Sequence, residues 1–252
     1  MTWTLGPLLG FDTETTGIDV EHDRIVTAAL VRRDASGTHV RTWIIDPGVE
    51  IPEAASAIHG ITTAQARAEG MAPSVALEEI ATVLTDAFAA GTPVVAYNAG
   101  YDLGILDAEL RRHGLATVGE RLGRAAQPVI DPLVLDRHED RYRRGKRKLV
   151  DLCGYYEVVD PGTLHTADVD VVATLDVLAK IVGRFPHLGA LDLATLHAYQ
   201  ETAHRAWAEG FNAWRETRGL TGPGAALEWL GPRPTTAAPA TPRPAELVAS
   251  QP

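Results

Sequence analysis

Phe11-Asp12-Thr13-Glu14-Thr15-Thr16-Gly17 ends an apolar run that begins at Leu8, and ends it with two acids one residue apart. In an extended strand, residues i and i+2 share a face, so Asp12 and Glu14 present two carboxylates side by side. Like charges that close repel unless a proton or a cation lies between them. A divalent ion would satisfy the pair and so would water at a strand end, and the pair alone does not choose. Thr15, Thr16 and Gly17 read as a turn whose small residues leave backbone N–H groups approachable.

Outward from this strand, two more strand-like runs follow, Arg24 to Val31 and Val40 to Ile45, joined by the polar Arg33-Asp34-Ala35-Ser36-Gly37. A connection that short predicts an antiparallel start to a sheet. After Pro73, Leu77, Ile80, Ala81, Leu84 and Phe88 fall on one helical face closed by Gly91, and Pro93 to Tyr97 is a short apolar strand. A strand reached through a helix is expected to lie parallel to the first. Asp102 to His113 reads as a helix closed by Gly114, Val129 to Asp131 as a strand, and Asp168 to Val182 as a helix with Val172, Leu175, Leu178 and Val182 inward. The sum is an α/β layer structure with a mixed sheet, over roughly 185 residues. Residues 191–218 add a helical pattern with Leu196, Tyr199, Ala203, Trp207, Phe211 and Trp214 in one continuous apolar stripe, suited to packing on the core or to a partner.

The 252 residues are 45% hydrophobic and 22% charged, which excludes wholesale disorder and coiled coil. A formal charge of −10 excludes coating nucleic acid, or a membrane surface, by bulk charge. One cysteine cannot form an internal disulfide, and the first residues show neither a basic signal region nor a membrane-length apolar run, so a cytoplasmic location is expected. Residues 231–252 hold six of the 16 prolines and few large apolar side chains, which predicts a disordered tail, with a docking peptide as the alternative.

The strand-end theme recurs. Asn98-Ala99-Gly100-Tyr101-Asp102 follows an apolar strand and places an acid where a helix begins. Such an acid also suits a helix N-terminus through the macrodipole alone, and Asn98 suits a turn. His165-Thr166-Ala167-Asp168-Val169-Asp170 sets a His on a loop five residues before an acid in a helical first turn. Together these places supply four carboxylates and one His at the ends of buried elements, the inventory of two-metal phosphoryl chemistry. Hard oxygen ligands suit Mg²⁺ or Mn²⁺, and no His/Cys cluster of the kind zinc prefers is visible. Two such ions lie about 3.5–4 Å apart, and a neutral His beside the water can take its proton.

On these three segments, in this order, the chain resembles the DnaQ-like exonucleases of the DEDDh group, which include the proofreading epsilon subunit of bacterial DNA polymerase III. Phe11 to Gly17 is similar to the first exonuclease motif, Asn98 to Asp102 to the second, and His165 to Asp170 to the third; Ile58-His59-Gly60 and Asp131-Pro132-Leu133 are further similar segments. The resemblance implies a ribonuclease H-like exonuclease domain over 1–185, followed by a helical extension at 186–230 and the tail at 231–252. It implies a metal-dependent 3′-to-5′ exonuclease acting on single-stranded DNA or RNA with DNA favoured, two Mg²⁺ or Mn²⁺ ions, and a polymerase or repair partner. It assigns Asp12, Glu14, Asp102 and Asp170 as metal ligands and His165 as general base, with Thr13, Thr15, Ile58, His59, Asn98 and Tyr101 meeting the substrate. Tyr97 and Tyr101 depart from the family's usual His and Phe, each keeping a ring and adding a hydroxyl. Competing readings are an RNA-trimming, oligoribonuclease-like enzyme, a non-catalytic binding module on the same fold, and a haloacid dehalogenase-type phosphatase, which wants Asp-x-Asp where Glu14 stands. Oligomeric state is open.

Against the acidic whole, residues 137–148 (RHEDRYRRGKRK) hold seven Lys or Arg and two acids. Such a stripe either tracks the phosphates of an entering strand or is a solvated loop.

Overall fold

β1 (Leu8–Thr15) is the strand around which the sheet is arranged, and it carries Asp12 and Glu14 within it rather than beyond its end. β2 (Ile25–Asp34) pairs with it antiparallel, and β3 (Gly37–Ile44) returns along β2 to form an edge. Asp34 pairs with Gly37, so the hairpin turn is Ala35-Ser36 alone, tighter than the expected 33–37 loop. Two short helices absent from the sequence pattern, α1 (Glu53–His59) and α2 (Thr63–Glu69), lead to α3 (Pro73–Ala89). β4 (Val94–Val95) then lies parallel to β1, as expected of a strand reached through a helix. α4 (Ala99–Arg112) begins three residues before the expected start, which puts Asp102 inside its first turn. α5 (Val118–Leu122), β5 (Val129–Ile130), α6 (Pro132–Glu139), α7 (Leu149–Tyr155), α8 (Ala167–Arg184), α9 (Pro186–Ala190) and α10 (Leu193–Thr217) complete the chain. This computed structural model describes residues 3–158 and 166–231, so the expected tail, apart from Gly231, lies outside the described residues.

The five-stranded sheet has the order β3-β2-β1-β4-β5, with helices on both faces. Period-two alternation divides the core. Ala28 and Leu30 join Phe11, Leu77, Ile80, Leu84 and Ile105 on one face, while Ala29 and Val31 join Val171, Leu175 and Leu178 of α8 on the other. Gly10 fixes how close α8 comes, because a Cβ there would lie 2.2 Å from Val171 Cγ1. The absent side chain lets α8 rest directly on β1, and its first turn therefore reaches the end of β1 that bears the acids.

α10 covers the outer edge of the sheet. His197 Nδ1 accepts from Val129 N–H at 3.1 Å, Gln200 Oε1 accepts from Asp131 N–H at 2.7 Å, and Gln200 Nε2 donates to Val129 C=O at 3.0 Å. These side chains satisfy the backbone groups that a further strand would have paired, which closes an edge otherwise open to aggregation. Burial of the stripe expected along α10 falls off along the helix: Leu196 and Ala203 are buried, Trp207 and Phe211 half-buried, and Trp214 is 48% exposed. Toward its C-terminal end Trp207, Phe211 and Trp214 stack on one another, and Asn212 and Arg215 bond the segment 221–225.

Candidate active site

Three elements converge on the carboxylates. β1 supplies Asp12 and Glu14 from one face, the first turn of α8 supplies Asp170, and the first turn of α4 supplies Asp102. Carboxylate oxygens of Asp12, Glu14 and Asp170 all lie within 4.8 Å of one another. Asp102 sits behind them, 3% exposed, and accepts from Thr13 N–H at 3.0 Å and from the Thr13 hydroxyl at 2.7 Å. These two bonds tie the first motif to the second.

Electrostatics record the crowding. Burial first, then the charges of Asp170 and Asp102, push the Glu14 carboxyl up to about 8. Asp12 is likewise held well above the usual carboxylate range, by burial and then by Asp102, Glu14 and Asp170. Four acids in one place, two of them held reluctant to ionise by burial and by one another, form a donor set that fits hard divalent cations. Asp12, Glu14 and Asp170 have the spacing to share one.

Around this cluster, the Tyr101 hydroxyl donates to Gly17 C=O at 2.6 Å and lies 2.7 Å from Thr15 Oγ1, which itself donates to Gly17 C=O at 2.6 Å. The hydroxyl that sets Tyr101 apart from phenylalanine therefore pins the turn after β1. Tyr97 uses its own to bond Arg147 C=O at 2.5 Å. Asn98 is exposed, in the left-handed region (φ 63°), at the start of α4. Ile58 is 57% exposed at the end of α1, and His59 beside it is buried, its Nδ1 accepting from Ile61 N–H at 3.1 Å and its Nε2 without a hydrogen-bond partner among the described residues. Burial holds the His59 imidazole below its usual value. No described hydrogen bond or ion pair joins Ile58 or His59 to the carboxylates. His165 lies outside the described residues, one position before Thr166, which caps α8.

Asp131 is a residue whose part in the site the sequence pattern did not announce. Buried at the end of β5, it accepts from Asn98 N–H at 3.0 Å, Ala99 N–H at 3.0 Å, Leu133 N–H at 2.9 Å and Trp229 Nε1 at 3.3 Å. It thereby fixes the starts of α4 and α6 together. The Asp-Pro at 131–132 signals a helix start; only the fold shows that it also holds the neighbouring helix.

The basic segment divides by contact. Arg143 and Arg147 both pair with the fully buried Asp136, Arg143 at 2.8 Å, and Tyr156 donates to the same carboxylate at 2.8 Å. Those two arginines hold the segment to the core. Arg137 instead lies 3.8 Å from the centre of the Trp207 ring.

With the geometry in place, comparison with known proteins gives three findings. The family model described as Exonuclease matches residues 9–178. Among curated proteins, the chain is 31% identical over 167 residues to the PolC-type DNA polymerase III of Lacticaseibacillus paracasei, covering 65% of this chain and 10% of that protein. It is 34% identical over 194 residues to a DNA polymerase III subunit epsilon-like protein of Rhodobacter capsulatus, covering 75% and 25%. The chain thus spans a quarter or less of the length of these two relatives. Among solved structures, Escherichia coli Exonuclease I in complex with a dA16 oligonucleotide shares the fold with a TM-score of 0.62 at 22% identity, over 79% of this chain and 44% of that one. The expected ribonuclease H-like architecture, a mixed sheet flanked by helices, is the one observed. Among the described residues, no helix is long and apolar enough to cross a membrane.

Proposed function

Because the chain belongs to the exonuclease family, we propose that it removes nucleotides one at a time from the 3′ end of single-stranded nucleic acid, DNA in preference to RNA, releasing nucleoside 5′-monophosphates. The observation that carries this is the meeting of Asp12, Glu14 and Asp170 within 4.8 Å. Asp12, Glu14 and Asp170 would hold one Mg²⁺ or Mn²⁺, with Asp12 and Asp102 serving a second. When bound, such ions supply neutralisation of charge developing on the phosphoryl oxygens and a lowered pKa for the attacking water, an effect of several kcal/mol.

The chain's own residues supply the rest. His165, two positions before α8 in the chain, accepts the proton of the attacking water. Asp102 keeps its place through the two Thr13 donors, and Tyr101 fixes the Thr15 to Gly17 turn against which the terminal nucleotide rests. Asn98, Ile58 and His59 complete the surroundings of that nucleotide. The DNA preference and a polymerase or repair partner are supported by the relatives, which carry DNA polymerase III names, and by the dA16 strand on Exonuclease I.

The test is a time course on 5′-labelled single-stranded DNA and RNA of matched sequence, with Mg²⁺ or Mn²⁺, beside the Asp12→Ala and Asp102→Ala chains. The expected result is a metal-dependent ladder shortening from the 3′ end, faster on DNA and lost in both variants. Faster shortening of RNA would make it an RNA-trimming enzyme, and no shortening of either strand would leave a binding module on this fold.

A further inference from the structure

A cleft of about 370 Å³ opens between the loop after β1, the start of α4 that also carries Asp102, α6, α10 and the segment 223–229. Asn98 and Gly100, from the second motif, line its inner end, and Trp207, Phe211, Trp229 and Arg137 line its walls. Much of this wall comes from beyond residue 178, where the family match ends. Arg137 is the only Lys or Arg among the lining residues. It makes no described hydrogen bond or ion pair, unlike Arg143 and Arg147 of the same segment, which are bound to Asp136. What holds it is the Trp207 ring under its guanidinium at 3.8 Å, and Trp207 is itself stacked on Phe211 with centroids 5.4 Å apart.

A guanidinium fixed by an aromatic face, with no carboxylate among the described residues hydrogen-bonded to it, is prepared for a phosphate. Aromatic edges and faces beside it suit bases irrespective of sequence. Asp19, Glu21 and Glu228 elsewhere on the lining repel phosphates, and Asp131, the lining acid whose charge acts on Arg137, has its oxygens taken up by four N–H donors, which leaves the Arg137 side as the place for one. Resting on the exonuclease reading, we propose that this cleft receives the single strand 5′ of the scissile bond, with Arg137 binding one backbone phosphate and the rings of Trp207, Phe211 and Trp229 contacting its bases. Continuity through Asn98 and Gly100 makes the cleft an extension of the active site, so strands long enough to reach it bind more tightly than dinucleotides.

The test measures binding of a labelled single DNA strand by fluorescence anisotropy, using the full-length Asp12→Asn chain so that the strand survives, from about 50 to about 300 mM salt. Adding Arg137→Gln should weaken binding about tenfold and lower the slope of log K against log salt by about 0.7, the share of one phosphate on a single strand. Arg137→Lys keeps the slope and recovers part of the affinity, which separates lost charge from lost folding. Replacing single phosphates by neutral methylphosphonates should reveal one position whose neutralisation weakens the Arg137 chain about tenfold and the Arg137→Gln chain not at all. Equal slopes and equal methylphosphonate profiles overturn the proposal, as does displacement of the strand by a synthetic peptide of residues 232–252, which would assign the cleft to this chain's own C-terminal segment. If the unmodified chain with Mn²⁺ shortens no strand, the exonuclease reading falls and takes the subsite with it. Shortening with equal slopes overturns the subsite alone.

Discussion

The backbone N–H and the hydroxyl of Thr13 converge on a single oxygen of Asp102, at 3.0 and 2.7 Å. An acid from the first turn of α4 is thereby fastened to β1 between Asp12 and Glu14, and the site is assembled by this crossing. Thr13→Val keeps the shape and removes the hydroxyl, leaving a buried carboxylate oxygen one donor short. We expect a loss of about 1–3 kcal/mol in urea unfolding. Single-turnover cleavage should slow about tenfold, as Asp102 gains freedom to shift.

Glu14 gives a pH dependence with a definite sign. Its carboxyl ordinarily titrates at 4.5 and in the fold is pushed up to about 8, so the folded chain holds a proton that the unfolded chain has released. Its contribution to stability is complete below the ordinary value and is lost as pH rises toward and through about 8. In a chelator, Tm should therefore fall between about pH 5 and about pH 8, and Glu14→Gln should flatten that fall and raise Tm at the upper end. Mn²⁺ at a hundred times its Kd should raise the Tm of the unsubstituted chain by about 5–10 °C. A Glu14→Gln chain that is destabilised in chelator at the upper pH would contradict the crowding of charge described for this site. Its cleavage rate should drop by roughly a thousandfold.

Gly10 carries no chemistry, yet activity should depend on it. A Cβ there would meet Val171 Cγ1 at 2.2 Å, and the helix that moves to relieve the clash also carries Asp170. Gly10→Ala should cost about 1–3 kcal/mol and lower the apparent affinity for Mn²⁺ without altering any ligand. Adding Val171→Ala should restore part of both, as read by thermal unfolding and calorimetric Mn²⁺ titration.

Asp131 holds four donors from three parts of the chain. Asp131→Asn turns one acceptor oxygen into an amide group facing N–H donors, which should destabilise the fold by about 2–4 kcal/mol and slow cleavage through the loosened start of α4. Trp229→Phe removes one donor and keeps the ring, and should cost about 1 kcal/mol. Urea unfolding and steady-state rates on both variants provide the comparison.

Within the basic segment, Arg147→Ala strands a buried Asp136 and should cost about 3–5 kcal/mol, whereas Arg144→Ala, at an exposed position, should fall within about 0.5 kcal/mol of the parent. Comparable losses at both positions, measured by urea unfolding, would contradict the division of the segment into anchoring and exposed arginines.

Much of this was legible in order along the chain. The apolar run ending at Phe11 and the spacing of Asp12 and Glu14 required a strand bearing two acids on one face, and the stripe from Leu77 to Phe88 required α3. Periodicity could not reveal α1, α2, α6 or α7, which are too short to complete two faces, nor that burial fades along α10 and leaves Trp214 exposed. The stripe 137–148 looked uniform because charge along a sequence does not show which arginines have a buried acid beneath them.

The sequence by itself determined which residues could carry the chemistry, because side-chain period, turn residues and helix starts act over a few neighbouring positions. It thus supplied Asp12, Glu14, Asp102 and Asp170, each at the end of an element, and the alternation of strands with helices that makes a mixed sheet. Tertiary structure alone decided that three of those acids meet within 4.8 Å, that Thr13 holds the fourth, that Asp131 fastens two helices, and that Arg137 lines a cleft with its guanidinium over the Trp207 ring. Those relations join residues far apart in the chain, and they are set by how closely packed faces approach, as at Gly10 and Val171, a distance that no local pattern encodes.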